Sequence, residues 1–227
     1  MYSPIGIFDI DGVLATPEPK IHFNSYIYAI KEIFGVETSL EGLDFHGTTD
    51  RWVIYALSRK KGIDDKRIDD NIDRIFKIMG DYYEQNIKTS TIEPLEGVEE
   101  LLREFYQKNF VMGVLTGNIR RIAICKLKKL NLDKYFTVGS YGDISKNRID
   151  LFNEVISQVE EKVGKVDKKR LFYFDDSING LKVGKDAGFR TIGVATGIYP
   201  YEKLMEIKPD FILEDLSDLK RVLDLIR

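Results

Sequence analysis

Hydrophobic positions along the chain follow two regimes that meet near residue 92. A single short apolar run, Ile5 to Phe8, opens the chain as a buried strand. Apolar residues then recur at helical spacing: Phe23, Tyr26, Ile27, Ile30, Ile33 and Phe34, next Trp52 to Leu57, and last Ile68, Ile72, Ile75, Phe76, Met79 and Tyr83. That spacing predicts three helices between His22 and about Ser90, packed as a bundle, with Pro17 and Pro19 barring a helix in the loop Ala15 to Ile21. Beyond Pro94 the pattern alternates. Helices are predicted over Glu96–Lys108, Ile119–Leu130, Ile149–Val163, Ile178–Ala187, Tyr201–Ile207 and Leu216–Ile226. Strands are predicted at Phe110–Leu115, Phe136–Ser140, Arg170–Phe174, Arg190–Ala195 and Phe211–Leu213. The expected fold class is α/β: a doubly wound, Rossmann-like parallel sheet core over 1–16 and 92–227, carrying an all-helical insert over 17–91 between the first and second core strands.

Composition and charge narrow the function classes. The apolar and charged fractions, 43% and 31%, are those of a globular protein, and a net charge of -3 argues against nucleic acid or a membrane surface as partner. No apolar run reaches the roughly 18 residues of a membrane span, and no basic-then-apolar leader opens the chain, so a cytoplasmic location is expected. The single cysteine, Cys125, excludes an internal disulfide and reads as a packed thiol. Oligomeric state is not legible in the pattern.

Polar residues collect where three expected strands end. Asp9 and Asp11 follow the first, Thr116, Gly117 and Asn118 the second, and Asp175, Asp176 and Ser177 the fourth; in a parallel sheet these ends share one edge. Side chains alternate along an extended chain, so Asp9 and Asp11 face one side about 6 to 7 Å apart, and Gly12 lets the backbone turn away. Four carboxylates gathered at one edge call for a hard cation such as Mg²⁺. Thr116-Gly117 suits phosphate oxygens at a helix start, although the same triplet also fits an ordinary helix cap. Lys146 and Arg148, in the loop after the third strand, are the cations that could balance phosphate charge. In the insert, His22, Asn24, His46, Thr48, Thr49 and Arg51 are the polar candidates for substrate contact.

The stretches DIDGVL, LTGN and FDDSINGLKVGKDAG, in that order, resemble the motifs of the haloacid dehalogenase-like hydrolase superfamily, in particular its phosphoglycolate phosphatase-like and phosphoglucomutase-like members with a helical cap. HGTTDRW and EGVEELL look like further equivalents. The resemblance implies a Mg²⁺-dependent phosphatase of a small phosphorylated metabolite, with phosphoglycolate the leading candidate. It assigns Asp9 as nucleophile, Asp11 as acid and base, and Thr116 and Lys146 as catalytic partners. Gly117, Asn118, Arg148, Thr49 and Arg51 would bind substrate, and Asp9, Asp11, Asp176 and Asp175 the metal. Two departures stand out: Gly180 replaces a further aspartate of many relatives, and Asn147, not proline, follows Lys146. A phosphotransferase or sugar-phosphate mutase, or a catalytically silent binding protein on the same fold, fits the same motifs.

Overall fold

The computed structural model describes residues 4–226, so the extreme ends of the expected core lie outside the described residues. The first strand, β1 (Ile5–Phe8), is buried at all four positions because both of its faces are covered. With β2 (Val111–Leu115), β3 (Val138–Ser140), β4 (Leu171–Asp175), β5 (Arg190–Val194) and β6 (Phe211–Leu213) it forms an all-parallel sheet of order β3-β2-β1-β4-β5-β6. The strand that comes first in sequence is therefore central in space. Phe8 pairs with Val114 on one side and Phe174 on the other, which puts the ends of β1, β2 and β4 at one level.

Four α-helices lie between β1 and residue 92: α1 (Pro19–Phe34), α2 (Asp50–Arg59), α3 (Asp65–Asp69) and α4 (Ile72–Asn86). The remaining helices, α5 (Val98–Gln107), α6 (Arg120–Lys129), α7 (Arg148–Val163), α8 (Ile178–Asp186), α9 (Tyr201–Glu206) and α10 (Leu219–Leu225), alternate with the strands. Alternation along β1 divides the core. Ile5 and Ile7 join Leu151, Phe152 and Val155 of α7 on one face, while Phe8 joins Leu101, Leu102 and Phe105 of α5 on the other. Phe8 also stacks on Phe174, with centroids 4.5 Å apart, and burying such a ring contributes about 2 to 3 kcal/mol. A separate apolar cluster joins α1, α2 and α4 to Ile119 and Ile122 at the start of α6.

Three expectations need correction. Pro19 does not exclude a helix; it occupies the first turn of α1, where its missing N–H is tolerated, and the Glu18 carboxylate accepts the Ile21 N–H. The third helical pattern of the insert is two helices, because Asn71 leaves helical conformation (φ -121°, ψ 0°) and its amide donates back to the Arg67 carbonyl at 2.9 Å. Arg148 is not in a loop but is the first residue of α7.

Candidate active site

At the carboxyl edge of the sheet, Asp9 follows directly on β1, and its N–H continues the ladder by donating to Phe174 O at 2.9 Å. Its Oδ1 accepts the Ile10 N–H at 2.7 Å, and its Oδ2 lies 3.0 Å from Arg148 Nη2. The same guanidinium nitrogen donates to Asp175 Oδ2 at 2.8 Å and to the Tyr173 hydroxyl at 2.6 Å. Arg148 reaches this point because α7 begins beneath the edge, where a side chain on its first turn points back toward the strand ends. Burial pushes the Asp9 carboxyl up to about 6 even though Arg148 draws it down.

Asp11 faces the same cavity. Lys126 Nζ donates to both of its carboxylate oxygens, at 2.7 and 2.6 Å, and Asn118 Nδ2 donates to Oδ2 at 2.9 Å. Asn118 is itself fixed at both ends, its Oδ1 accepting from Lys126 at 2.8 Å and its Nδ2 donating to Thr116 Oγ1 at 2.7 Å. Burial acts to raise the Asp11 carboxyl, but the Lys126 ammonium outweighs it and holds the group below the usual carboxylate range.

Thr116 is fully buried and lines the cavity, and the triplet it opens is not a side-chain helix cap: Ile119 is the cap residue of α6, and its N–H donates 2.7 Å to Asp50 Oδ2 from the helical insert. Gly117 meets that insert closely. Its carbonyl accepts the Asp50 N–H at 2.7 Å, and a Cβ there would collide with Thr48 O.

The two acidic residues after β4 differ in occupation. Asp175 Oδ1 accepts the N–H and the hydroxyl of Ser177, both at 2.6 Å, and Oδ2 accepts from Arg148 and Tyr173. Its lone pairs are thereby committed to the turn into α8, whose cap is Ser177. Gly180 belongs to this arrangement, since a Cβ at that position would overlap the Asp175 carboxylate. Asp176, in contrast, points into the cavity, bracketed by the close approach of Gly12 (φ 77°) and Gly197. Burial, then the neighbouring Asp175, Asp9 and Asp11, pushes its carboxyl well above the usual range. Oxygen atoms of Asp9, Asp175 and Asp176 all lie within 4.8 Å of one another. An all-oxygen set whose outward-facing member is surrounded by like charge fits a small hard cation.

These residues line a cavity of about 420 Å³ whose other wall is the insert, with Glu18, His22, Phe23, Tyr26, Phe45 and His46. Of the residues singled out in the sequence, Asp9, Asp11, Thr116, Gly117, Asn118, Arg148, Asp176, Ser177, His22, His46, Thr48 and Thr49 line it. Thr49 caps α2, accepting the Trp52 N–H at 3.1 Å and donating to Ser145 O at 2.8 Å. Asp175, Lys146, Arg51 and Asn24 are not in its lining. Lys146 Nζ lies 3.8 Å above the centre of the Tyr55 ring, and the Arg51 guanidinium is held by Asp143 O at 2.9 and 2.6 Å. Asn24 is exposed.

Sequence reasoning passed over Lys126, Asp50 and Tyr173. The first carried a signal: Lys126 follows Ile122 and Ala123 by four and three residues, so it falls on the apolar face of α6. Asp50 accepts from Tyr26 OH at 2.5 Å, from the Ile119 N–H, and faces His22 Nε2 at 3.1 Å; only the folded chain assembles that cluster.

No helix among the described residues is long and apolar enough to cross a membrane. A phosphorylated carbohydrates phosphatase of Thermotoga maritima is 29% identical over 231 residues, covering 94% of this chain and 98% of the relative. A phosphoglycolate phosphatase of Agrobacterium fabrum is 24% identical, covering 96% and 91% respectively. A crystal structure of a hydrolase from Pseudomonas syringae shares the fold, with a TM-score of 0.73 at 21% identity and 99% of both chains covered. The family model for haloacid dehalogenase-like hydrolases matches residues 6–194, a span that runs from β1 through the acidic edge to β5, and the chain belongs to that family.

Proposed function

We propose that the protein is a Mg²⁺-dependent phosphomonoesterase of small phosphorylated metabolites that works through a phosphorylated Asp9. The observation that carries this reading is the convergence of Asp9, Asp11, Thr116, Arg148 and Asp176 on one cavity from three strand ends and the start of α7. The names of the relatives, phosphatases of phosphorylated carbohydrates and of phosphoglycolate, support the same chemistry.

Asp9 Oδ attacks phosphorus, so that an O–P bond forms as the bond to the ester oxygen breaks; Asp11, ionised beside Lys126 in the free site, takes up a proton from solvent as the anionic substrate enters and delivers it to the departing alkoxide. Water then attacks the phosphorus, gives its proton to Asp11, and releases phosphate from Asp9. One residue thus serves as acid and then as base. Arg148, 3.0 Å from Asp9 Oδ2, is placed to neutralise charge on nucleophile and phosphoryl group, the role the sequence resemblance offered to Lys146. Thr116 would hold phosphoryl oxygens. The carboxylates of Asp9 and Asp176 and the backbone carbonyl of Asp11 would hold Mg²⁺, whose charge screens phosphate from the acidic edge. Asp175, already bonded through both oxygens, positions Arg148 and the turn into α8. The helices of the insert, which line the far wall, would act as a lid over the edge.

Asp9→Asn tests the reading. It removes the nucleophile and should abolish phosphate release from p-nitrophenyl phosphate, while circular dichroism and the melting transition show a folded chain. Undiminished release from that variant overturns it.

A further inference from the structure

The phosphoryl end of the cavity carries one cation, Arg148, and the wall facing it carries no arginine or lysine. Glu18 and Asp50 bring carboxylates there, and Phe23, Tyr26 and Phe45 bring rings. Among the described residues lining the cavity, Arg148 is the single arginine or lysine, and Asp9 and Asp175 already engage it. His22 faces Asp50 at 3.1 Å, so any charge it takes up is matched locally, and His46 is exposed against the Phe45 ring, centroids 4.8 Å apart.

Helix N-termini are the other common source of positive potential for an anion. At three of the helix starts around this cavity the chain's own oxygens already take up N–H groups. At α1 the Glu18 carboxylate accepts the Ile21 N–H at 3.1 and 3.2 Å. At α2 the N–H groups of Asp50, Arg51 and Trp52 donate to Gly117 O (2.7 Å), Gly142 O (3.1 Å) and Thr49 Oγ1 (3.1 Å). At α6 the N–H groups of Ile119 and Arg120 donate to Asp50 Oδ2 (2.7 Å) and Asp143 Oδ1 (3.1 Å).

We infer that the enzyme selects phosphomonoesters whose alcohol carries no anionic group of its own, an uncharged leaving group with an apolar or planar face, over phosphorylated carboxylic acids and over pyrophosphate. The inference rests on the phosphomonoesterase reading and adds the substrate class. A second anion on the far wall would lose water, meet the Glu18 and Asp50 carboxylates and find no arginine or lysine of its own. An uncharged alcohol meets the same wall through ring contact and hydroxyl hydrogen bonds.

The test compares kcat/KM of the full chain with Mg²⁺ on two matched pairs: phenyl phosphate against 4-carboxyphenyl phosphate, and 2-hydroxyethyl phosphate against phosphoglycolate. The uncharged member of each pair should be favoured tenfold or more. Glu18→Gln, which removes charge from the far wall and retains an oxygen for the Ile21 N–H, should narrow the phenyl pair's ratio several-fold. Equal or reversed preference overturns the inference while leaving the hydrolase reading intact, and a ratio unmoved by Glu18→Gln overturns the part assigned to the wall. Release of no phosphate from any of the four esters overturns the hydrolase reading itself, and the inference with it.

Discussion

Lys126 Nζ donates to both carboxylate oxygens of Asp11 from a side chain that has no exposed surface. A buried ammonium costs several kcal/mol unless it is paired and fully hydrogen-bonded, and here Asp11 and the Asn118 amide oxygen supply three acceptors. Lys126→Met keeps the length of the side chain and leaves Asp11 without its cation. Denaturant unfolding should show a loss of about 3 kcal/mol, the lower end for a broken buried pair because Asp11 is partly solvated. In the proposed mechanism the variant also loses the orientation of the acid and base, so kcat should fall tenfold or more. Lys126→Arg should not restore it, since a planar guanidinium does not reproduce the single nitrogen that meets all three acceptors.

Arg148 and Lys146 separate cleanly. One Arg148 nitrogen contacts Asp9, Asp175 and Tyr173, whereas Lys146 stands over a ring in the insert. Arg148→Met should lower kcat by about a hundredfold or more, the scale of losing one charge-stabilising donor in a dry site. Lys146→Met removes a cation–π contact of about 0.5 to 1 kcal/mol and should leave turnover within about threefold of the wild type. Equal losses in the two variants would return the charge-neutralising role to Lys146.

Metal and pH are linked through Asp9 and Asp176. Both carboxyls are raised by folding, Asp9 to about 6 and Asp176 well above the usual carboxylate range, so the folded chain binds these protons more tightly than the unfolded chain. Without divalent cation, stability therefore falls as pH rises from the ordinary carboxyl value of 3.8 through about 6 and beyond. Mg²⁺ binds the ionised form and opposes that trend. Thermal melts should show a Mg²⁺-dependent increase at about pH 8, approaching about 2.7 kcal/mol at a hundredfold excess over Kd, and little increase near pH 4. The same increase at both pH values would remove these carboxylates from the metal site.

Gly180 is required by its neighbour. A methyl at this position overlaps the Asp175 carboxylate, which is locked by Arg148, Tyr173 and Ser177 and has no room to retreat. Gly180→Ala should destabilise the fold by about 2 kcal/mol or more despite the better helix propensity of alanine. It should also lower turnover by displacing Arg148, a joint loss that a helix-interior effect alone does not produce.

Much of this architecture was legible along the chain because burial leaves a periodic trace. Continuous apolar runs marked the six strands, helical spacing marked the insert, and acidic or Thr-Gly ends marked the edge where β1, β2 and β4 meet. That legibility has a physical basis: a parallel strand covered on both faces tolerates no polar residue until it ends, so polar residues at strand ends stand out. The break at Asn71 and the start of α1 at Pro19 were obscured, since one depends on a backbone angle and the other on position within the first turn.

What the one-dimensional pattern cannot carry is which side chain reaches which partner across the fold. Lys146 and Arg148 are two residues apart and chemically alike, yet the start of α7 turns one toward Asp9 and leaves the other against Tyr55. Lys126 looked like one lysine among several in a basic helix until α6 packed its apolar face toward the site and brought Asp11 within reach. The sequence by itself determined the fold class, the family motifs and the acidic edge, because these follow from local periodicity and from residue type at strand ends. Only tertiary structure decided which cation serves Asp9, which lysine holds Asp11, and that Asp50 from the insert caps the start of α6, because each depends on directions and distances between residues far apart in the chain.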